Sequence, residues 1–500
     1  MSPPMMPFAD VIAAMQRLGH VSPDLPASWR AAAGIAVCGV TADSRMAGAG
    51  TLFVAVPGLR ADGRRFIADA VQRGAAAVLA PPGTPWPPGV PPRPLIEDAA
   101  PRRRLAQIAA VLAGPAPAVT VAVTGTNGKT STVDFLRQIW TLAGHAAAGL
   151  GTLGVIAPGF ATGPGLTTPD PVTLAATLAA LARAGVQHAA LEASSHGLDQ
   201  FRLDGLRPTA AAFTNLTRDH LDYHGDMARY RAAKLRLFAE LLPEGAPVVA
   251  STALDAETMA ALTAIARARR LDLRTVGAGG ARLRLLAAVS VPEGQVLRLA
   301  GPRGAVREVP LTLPGRFQAD NALVAAALAE ATGVAGALDL LARLVGVRGR
   351  MELAARLANG AAVYVDYAHT PDALERLLLA LRPHTRGRLH VVFGAGGDRD
   401  PGKRPLMGEA ASRFADHVVV TDDNPRSEDP AAIRAAVRAG CPAALDVAGR
   451  EAAIAAALGA LRPGDVLAVA GKGHEQGQIV GDAVLPFDDV AVVRRLAGVV

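Results

Sequence analysis

The string Thr124-Gly125-Thr126-Asn127-Gly128-Lys129-Thr130-Ser131-Thr132 follows the apolar run Ala118 to Val123 and precedes a helical stretch from Val133 to Leu142. A buried strand that ends in a glycine-rich turn at a helix N-terminus wraps backbone amides around phosphate oxygens. Lys129 then supplies a point charge for the β- and γ-phosphates, and Thr130 a hydroxyl for Mg²⁺. The usual pattern carries a further glycine where this chain has Val123, but the compact Gly-Thr-Asn-Gly-Lys-Thr loop still provides the amides. Gly125, Thr126, Asn127, Gly128, Lys129, Thr130 and Ser131 are therefore read as a nucleoside triphosphate site, for ATP or GTP.

In open parallel sheets ligands sit beyond the carboxyl ends of the strands, so polar strings placed directly after apolar runs carry the chemistry. Two more occur in the middle of the chain: Glu192 to Gly197 after Leu191, and Asn215 to His224 after Thr214. At its strand end Glu192 is a candidate Mg²⁺ ligand, where an isolated glutamate would read as a helix cap. The Asp/His cluster from Asp219 to His224 suits either a metal or loop hydrogen bonds. The C-terminal part has four such strings: Asp366 to Thr370, Gly394 to Asp400, Asp422 to Arg426 and Gly471 to Glu475. Arg399, Arg426 and Glu475 on one rim imply a second substrate with both negative and positive groups. Guanidinium groups clamp carboxylates bidentately, and Glu475 suits an ammonium.

The elements that must position these strings follow from alternation of apolar runs with helical stretches. Short strands at Cys38–Thr41, Leu52–Val56 and Ala77–Leu79, with a helix near Arg65–Gln72, predict a small α/β module interrupted by the Pro-rich stretch Pro81–Pro94. His188–Leu191, Ala210–Thr214 and Val248–Ser251 read as buried parallel strands, and Ala281–Pro310 as an antiparallel flank followed by a helix over Asp320–Ala331. From Val363 onward the βα alternation predicts a second doubly wound sheet: strands Val363–Tyr367, Leu389–Phe393, His417–Thr421 and Val466–Ala470, and helices Pro371–Leu381, Arg404–Phe414, Pro430–Ala439 and Glu451–Leu461. The expected fold class is α/β in three domains: residues 1–115 as a small α/β module, 116–346 as a central P-loop ATPase-like parallel-sheet domain, and 347–500 as a Rossmann-like doubly wound domain.

With 500 residues, half of them hydrophobic and 19% charged, the chain is globular and too long for one core. The alanine-rich stretches are broken by Gly, Pro and charge before reaching the ~20 residues a membrane span needs. Met1 to Leu18 contains Asp10 and no basic start, so no secretory signal is expected, and two cysteines make no disulfide framework. A cytoplasmic protein is the expectation. The net charge of +7 is thinly spread and aromatics are only 4%, which argues against nucleic acid and for phosphorylated or carboxylated small substrates.

Taken together these strings resemble the Mur ligase family from end to end. The match also covers Asp43-Ser44-Arg45, Thr167-Thr168-Pro169, Tyr230 to Phe238, Pro314 to Asn321 and Gly349 to Glu352. The resemblance implies an ATP-dependent, ADP-forming ligase that joins meso-2,6-diaminopimelate to the D-Glu carboxylate of UDP-MurNAc-L-Ala-D-Glu through an acyl phosphate, in cytoplasmic peptidoglycan precursor synthesis. It implies Mg²⁺ held by Thr130, Glu192, His220 and Lys234, the last as a carbamate (N6-carboxylysine), with Lys129, Glu192, His220 and Lys234 catalytic. Pattern alone reads Lys234 as an ordinary surface lysine. By the same resemblance Asn321, Arg350 and Asp366 complete the ATP site, and Ser44, Thr167, Thr168, Ser194, Gln200 and Arg202 bind the UDP-MurNAc-dipeptide. Arg399, Asp423, Asn424, Pro425, Arg426, Gly471 and Glu475 bind diaminopimelate, since lysine-adding relatives lack the arginine matching Arg426. Small-molecule substrates, no nucleic acid, no membrane insertion and a monomer are expected. The competing readings are a lysine-adding ligase or folylpolyglutamate synthetase, a scaffold that lost catalysis, and a basic nucleic-acid binder.

Overall fold

The structure, a computed structural model, describes residues 5–58, 61–161, 163, 165–291, 294–302 and 304–498. It comprises two compact units. One runs from the N-terminus to Lys129 and includes Trp140–Arg274 and Ala331–Val334; the other holds Thr130–Ile139, Thr275–Glu330 and the chain from Ala335 onward.

The first unit contains two larger sheets besides the short antiparallel pair Met6–Pro7/Ala36–Val37. The N-terminal one has four parallel strands in chain order, Gly39–Thr41, Thr51–Val54, Ala77–Ala80 and Leu95–Glu97. Ala77–Ala80 is buried throughout, as a parallel strand covered on both faces must be. One face packs with Phe8, Trp29 and Ile108 from helices Phe8–Arg17, Ala27–Ala31 and Pro101–Ala113; the other packs against Ile67 and Val71. In the second sheet Ala147–Gly151, His188–Glu192, Val119–Thr124, Ala210–Phe213 and Pro247–Ser251 lie side by side, all parallel. The strand Val119–Thr124 is thus central, and its carboxyl end delivers the phosphate loop between the ends of His188–Glu192 and Ala210–Phe213. Gly154–Ala157 and Phe160–Ala161 extend the edge antiparallel.

The second unit begins its ordered sheet structure with an antiparallel meander, Leu283–Val291, Gly294–Ala300 and Val306–Leu311, followed by helix Arg316–Ala331. A six-stranded sheet follows in the order Glu352–Arg356, Ala362–Asp366, Val466–Ala470, Leu389–Phe393, His417–Val420, Leu445–Asp446, parallel except for the first strand. Helices cover both faces, and apolar clusters around Phe393 and around Val469 form the two layers of core. Beneath the carboxyl ends of these strands lies a fully buried ion pair, Arg450 to Asp489, with two 2.7 Å hydrogen bonds and no exposed side-chain surface on either partner. Such a pair adds little net stability, yet breaking it leaves an uncompensated buried charge.

The α/β class and the two doubly wound layers agree with the sequence pattern. Two helices start earlier than the sequence pattern suggests: at Lys129 rather than Val133, where the first turn is polar, and at Arg316 rather than Asp320. Helices Phe8–Arg17 and Pro101–Ala113 and the hairpin Gly477–Val480/Ala483–Pro486 had no counterpart in the sequence reading. Among the described residues no helix is long and apolar enough to cross a membrane.

Candidate active site

The phosphate loop is held from one side by the loop that follows Ala210–Phe213. Thr126 N donates to Asn215 O (2.9 Å), Asn127 N to Asn215 Oδ1 (2.9 Å), and Thr214 Oγ1 to Asn127 O (2.6 Å). Gly125, at φ 149°, must be glycine, since a Cβ there would lie 1.9 Å from Thr214 Oγ1. Gly128 has φ 84°, the left-handed region that turns the chain into the helix. The Lys129 ammonium donates to Gly125 O (3.0 Å) and Thr126 O (2.9 Å), so it lies against the loop. Thr130 and Ser131 are buried in the first turn of the helix.

Lys234 is not a surface lysine. It is 1% exposed, donates to the same Gly125 carbonyl at 2.8 Å, and sits 4.7 Å from the Tyr230 ring centre. Burial, reinforced by the Lys129 charge, pushes its pKa well below the ordinary lysine value. Two amines converge on one carbonyl, and the neutral form of Lys234 is the one that tolerates this. Tyr230, whose hydroxyl is 3.1 Å from Thr126 Oγ1, ties the lysine-bearing helix to the loop. His220 caps the short helix Leu221–His224 with φ 52°, its Nε2 3.4 Å from Asp219 Oδ2. Burial holds its imidazole below the usual range, as it does for neighbouring His196, at about 4, and His224.

Glu192, 2% exposed, closes its strand with the carboxylate packed on Gly151, where a Cβ would come within 2.0 Å of Oε1. Thr152 N donates to that oxygen at 2.8 Å. Thr168 is the centre of the neighbouring set. Its hydroxyl donates to Glu192 O (2.8 Å) and accepts from Ser194 N (3.0 Å), while its carbonyl accepts from Arg202 Nη1 (2.6 Å). Arg202 Nη2 reaches Gln200 Oε1 (2.7 Å), and Thr167 Oγ1 lies 3.2 Å from Thr152 Oγ1. Thr167, Thr168, Ser194, Gln200, Arg202 and Glu192 are therefore one connected group. Ser44 stands apart in the N-terminal module, in the turn capped by Asp43 and hydrogen-bonded to Asp69.

In the second unit, the three residues expected at the nucleotide are linked through backbone. Asn321 Nδ2 donates to Gln318 Oε1 and Gln318 Nε2 to Arg350 O, both at 3.4 Å. Asp366 accepts from Met351 N (2.7 Å) and Ala368 N (2.8 Å), and burial raises its pKa. The Arg350 guanidinium lies 4.7 Å from the Tyr367 ring centre, which is itself 4.9 Å from the tilted ring of His474. The strings around Gly349, Asp366 and Gly471 thus touch one another; a Cβ on Gly349 would fall 2.1 Å from His474 N.

The candidate amino-acid pocket is built from the other two strand-end loops and the last. Gly397 packs so tightly on the Asp-Asn-Pro-Arg turn that a Cβ would lie 1.9 Å from Pro425 O. Arg426, at φ 52°, donates from Nη1 to Gly397 O at 2.7 Å, and its main chain pairs with the hairpin through Arg426 N to Ile479 O (3.0 Å) and Gly481 N to Arg426 O (2.8 Å). Asn424 Nδ2 donates to Glu475 Oε2 at 2.9 Å. Asp423 is buried against Gly471, whose Cβ would be 2.5 Å from Asp423 Oδ2. Arg399 is exposed at the tip of its loop, its stem beside Gly396.

Three family models match in chain order: "Mur ligase family, catalytic domain" over residues 36–111, "Mur ligase middle domain" over 123–329, and "Mur ligase, glutamate ligase domain" over 349–473. The UDP-N-acetylmuramoyl-L-alanyl-D-glutamate–2,6-diaminopimelate ligase of Caulobacter vibrioides is 52% identical over 93% of this chain and 96% of its own length. The chain belongs to the Mur ligase family. The Rhizobium meliloti enzyme of the same name is 51% identical over 96% of this chain and 98% of its own. A solved structure with that enzyme name aligns with a TM-score of 0.72 at 31% identity, covering 99% of both chains. A folylpolyglutamate synthase of Mycobacterium tuberculosis, 21% identical with a TM-score of 0.61 over 79% of this chain and 95% of its own, shares the fold alone.

The fit of this Mur ligase to magnesium rests on its donors. Among the described residues no three His, Cys, Asp or Glu side chains form a metal cluster by themselves. The Thr130 hydroxyl and the buried Glu192 carboxylate are hard oxygen donors of the kind that complete a phosphate-bound Mg²⁺, which takes few protein ligands. Lys234, whose pKa is pushed down by burial and by the Lys129 charge, can add a further oxygen donor only as a carbamate. Sequence reasoning overlooked Lys472, Gln478 and the Arg450–Asp489 pair around the candidate amino-acid pocket. Lys472 stood inside a strand-end string, but nothing in the string distinguishes a buried lysine from an exposed one.

Proposed function

We propose that this Mur ligase adds meso-2,6-diaminopimelate to the D-Glu carboxylate of UDP-MurNAc-L-Ala-D-Glu, with cleavage of ATP to ADP and phosphate, as a cytoplasmic step of peptidoglycan precursor synthesis. We assign nucleotide-sugar binding to residues 1–115, ATP to 116–346 and the amino acid to 347–500. The observation that carries the substrate is the pocket in which Arg426 is fixed on the same loop as Asn424, itself bonded to Glu475: a guanidinium for a carboxylate beside a carboxylate for an ammonium.

In the first step a D-Glu carboxylate oxygen attacks the γ-phosphorus and the bond to the β-bridging oxygen breaks, giving an acyl phosphate and ADP. The amine then attacks the acyl carbon and loses a proton, the bond from that carbon to the bridging oxygen breaks, and phosphate leaves carrying that oxygen. Lys129 neutralises charge on the phosphates while the amides of Gly125 to Thr130 orient them. Thr167, Thr168, Ser194, Gln200 and Arg202, with Ser44, hold the nucleotide-sugar peptide, and Asn321, Arg350 and Asp366 the nucleoside. Thr130, Glu192, His220 and Lys234 as a carbamate would hold magnesium, which when bound would supply Lewis-acid stabilisation of the phosphate charge.

Phosphate release should require ATP, UDP-MurNAc-L-Ala-D-Glu and diaminopimelate together. Equal rates with L-lysine would refute the amino-acid assignment, and no release with any amino acid would refute the activity. The carbamate makes a separate demand. Neutral Lys234 adds CO₂ and loses a proton to become an anion, which turns repulsion from Lys129 into attraction. Exhaustive dialysis into CO₂-free buffer should therefore lower the ligation rate, and bicarbonate should restore it. A rate indifferent to both treatments in the wild type, together with full activity in Lys234→Met, would rule the modification out.

A further inference from the structure

Lys472 is fully buried, with no exposed side-chain surface, beneath the amino-acid pocket. Its ammonium donates to Asn424 Oδ1 and Glu475 Oε2, each at 3.0 Å. Asn424 Oδ1 accepts a second hydrogen bond from Ile479 N (2.9 Å), so the amide has one orientation available, with Nδ2 aimed at Glu475 Oε2 (2.9 Å). Gln478 Nε2 fastens the same turn from the hairpin, donating to Asp423 O at 2.6 Å. Glu475 Oε2 thus has two donors, and Oε1 has no partner among the described residues. A third of the Glu475 side chain is exposed.

We infer that Lys472 is a positioning residue for amino-acid specificity: it pins one oxygen of Glu475 so that the other is presented to the ammonium of diaminopimelate that is not acylated. This rests on the proposed reaction. The amine that attacks must shed protons, whereas a fixed carboxylate stabilises a charged ammonium, which suits the non-reacting end. Arg426, on the turn that Lys472 anchors through Asn424, faces the carboxylate of that same end. The cation is needed because a carboxylate partly exposed to water and held by a neutral amide alone is free to rotate. Arg450, buried nearby with Nη1 unpartnered among the described residues, already has its own carboxylate in Asp489 and does not substitute for Lys472.

The test compares diaminopimelate with 2-aminopimelate, which keeps both carboxylates and lacks only the second ammonium, in the wild type and in Lys472→Met. The kcat/KM preference for diaminopimelate should shrink about tenfold or more in the variant, the scale of a charge-assisted hydrogen bond. KM for ATP and for UDP-MurNAc-L-Ala-D-Glu should stay within about twofold, since neither substrate is assigned to Lys472, Asn424 or Glu475. A merely structural lysine would scale both amino acids by the same factor, and an unchanged ratio overturns the inference. Should Lys472→Met fail to melt cooperatively, Gln478→Leu loosens the same turn without burying or removing a charge, and the ratio should move in the same direction. A wild type that ligates neither amino acid would defeat the proposed function, an outcome distinct from an active enzyme whose ratio does not move.

Discussion

Lys129→Met is expected to lower kcat for phosphate release on the order of 10³-fold or more, the range lost when a preorganised charge on a transferring phosphoryl group is removed. A carboxylate and a triphosphate repel one another, and attack proceeds only where that repulsion is offset in the transition state. In the structure the ammonium lies against Gly125 O and Thr126 O, inside the loop whose amides must face the phosphates. Methionine keeps the stem and removes the charge. The loop itself should survive, because Asn215 and Thr214 hold Thr126 and Asn127 independently of the lysine. The variant also tests a coupling. Lys129 is the second cause, after burial, of the depressed Lys234 pKa, so its loss raises that pKa and disfavours the neutral amine that accepts CO₂. Bicarbonate should accordingly stimulate the variant more at high pH than at neutral pH. Single-turnover phosphate release and a thermal melt provide the check; a kcat within tenfold of wild type in a folded variant would remove Lys129 from the chemistry.

Arg426→Ala should collapse the preference for diaminopimelate over L-lysine by about a hundredfold or more, mainly through loss of diaminopimelate kcat/KM. Diaminopimelate carries a carboxylate where lysine has only a methylene hydrogen. In the wild type, lysine leaves the guanidinium desolvated without its anion, and that penalty enforces the discrimination. The side chain is ready for this role because its backbone is held by the hairpin at Ile479 and Gly481 and its Nη1 by Gly397 O, which limits the freedom lost on binding. Alanine removes clamp and penalty together, so lysine turnover should hold steady or rise. Paired assays with the two amino acids decide it: a parallel fall for both would mean that Arg426 supports the fold of the turn, and an unchanged diaminopimelate rate would mean that the carboxylate is bound elsewhere.

The legible parts of this protein are those encoded within a few residues. Leu389–Phe393 and Val466–Ala470 are strands and Pro371–Leu381 a helix at the residues where apolar runs, Thr370-Pro371 and flanking glycines indicate. The phosphate loop is equally local, since strand, glycines, lysine and helix lie in one string. The hairpin after Gly477 escaped because its residues are largely exposed and follow no buried period. Its role is set by what it pairs with, the turn at Arg426, more than 50 residues earlier.

By itself, then, the amino-acid sequence determined the α/β layering, the strand ends that carry the polar strings and the family to which the chain belongs, because hydrophobic period and glycine punctuation act over neighbouring residues. The depressed pKa of Lys234 and the burial of Lys472 were decided only by the tertiary structure. Both are lysines of unremarkable local pattern, and desolvation and charge–charge energy depend on what other segments bring to them: Gly125 and Lys129 for the first, Asn424 on a separate loop for the second.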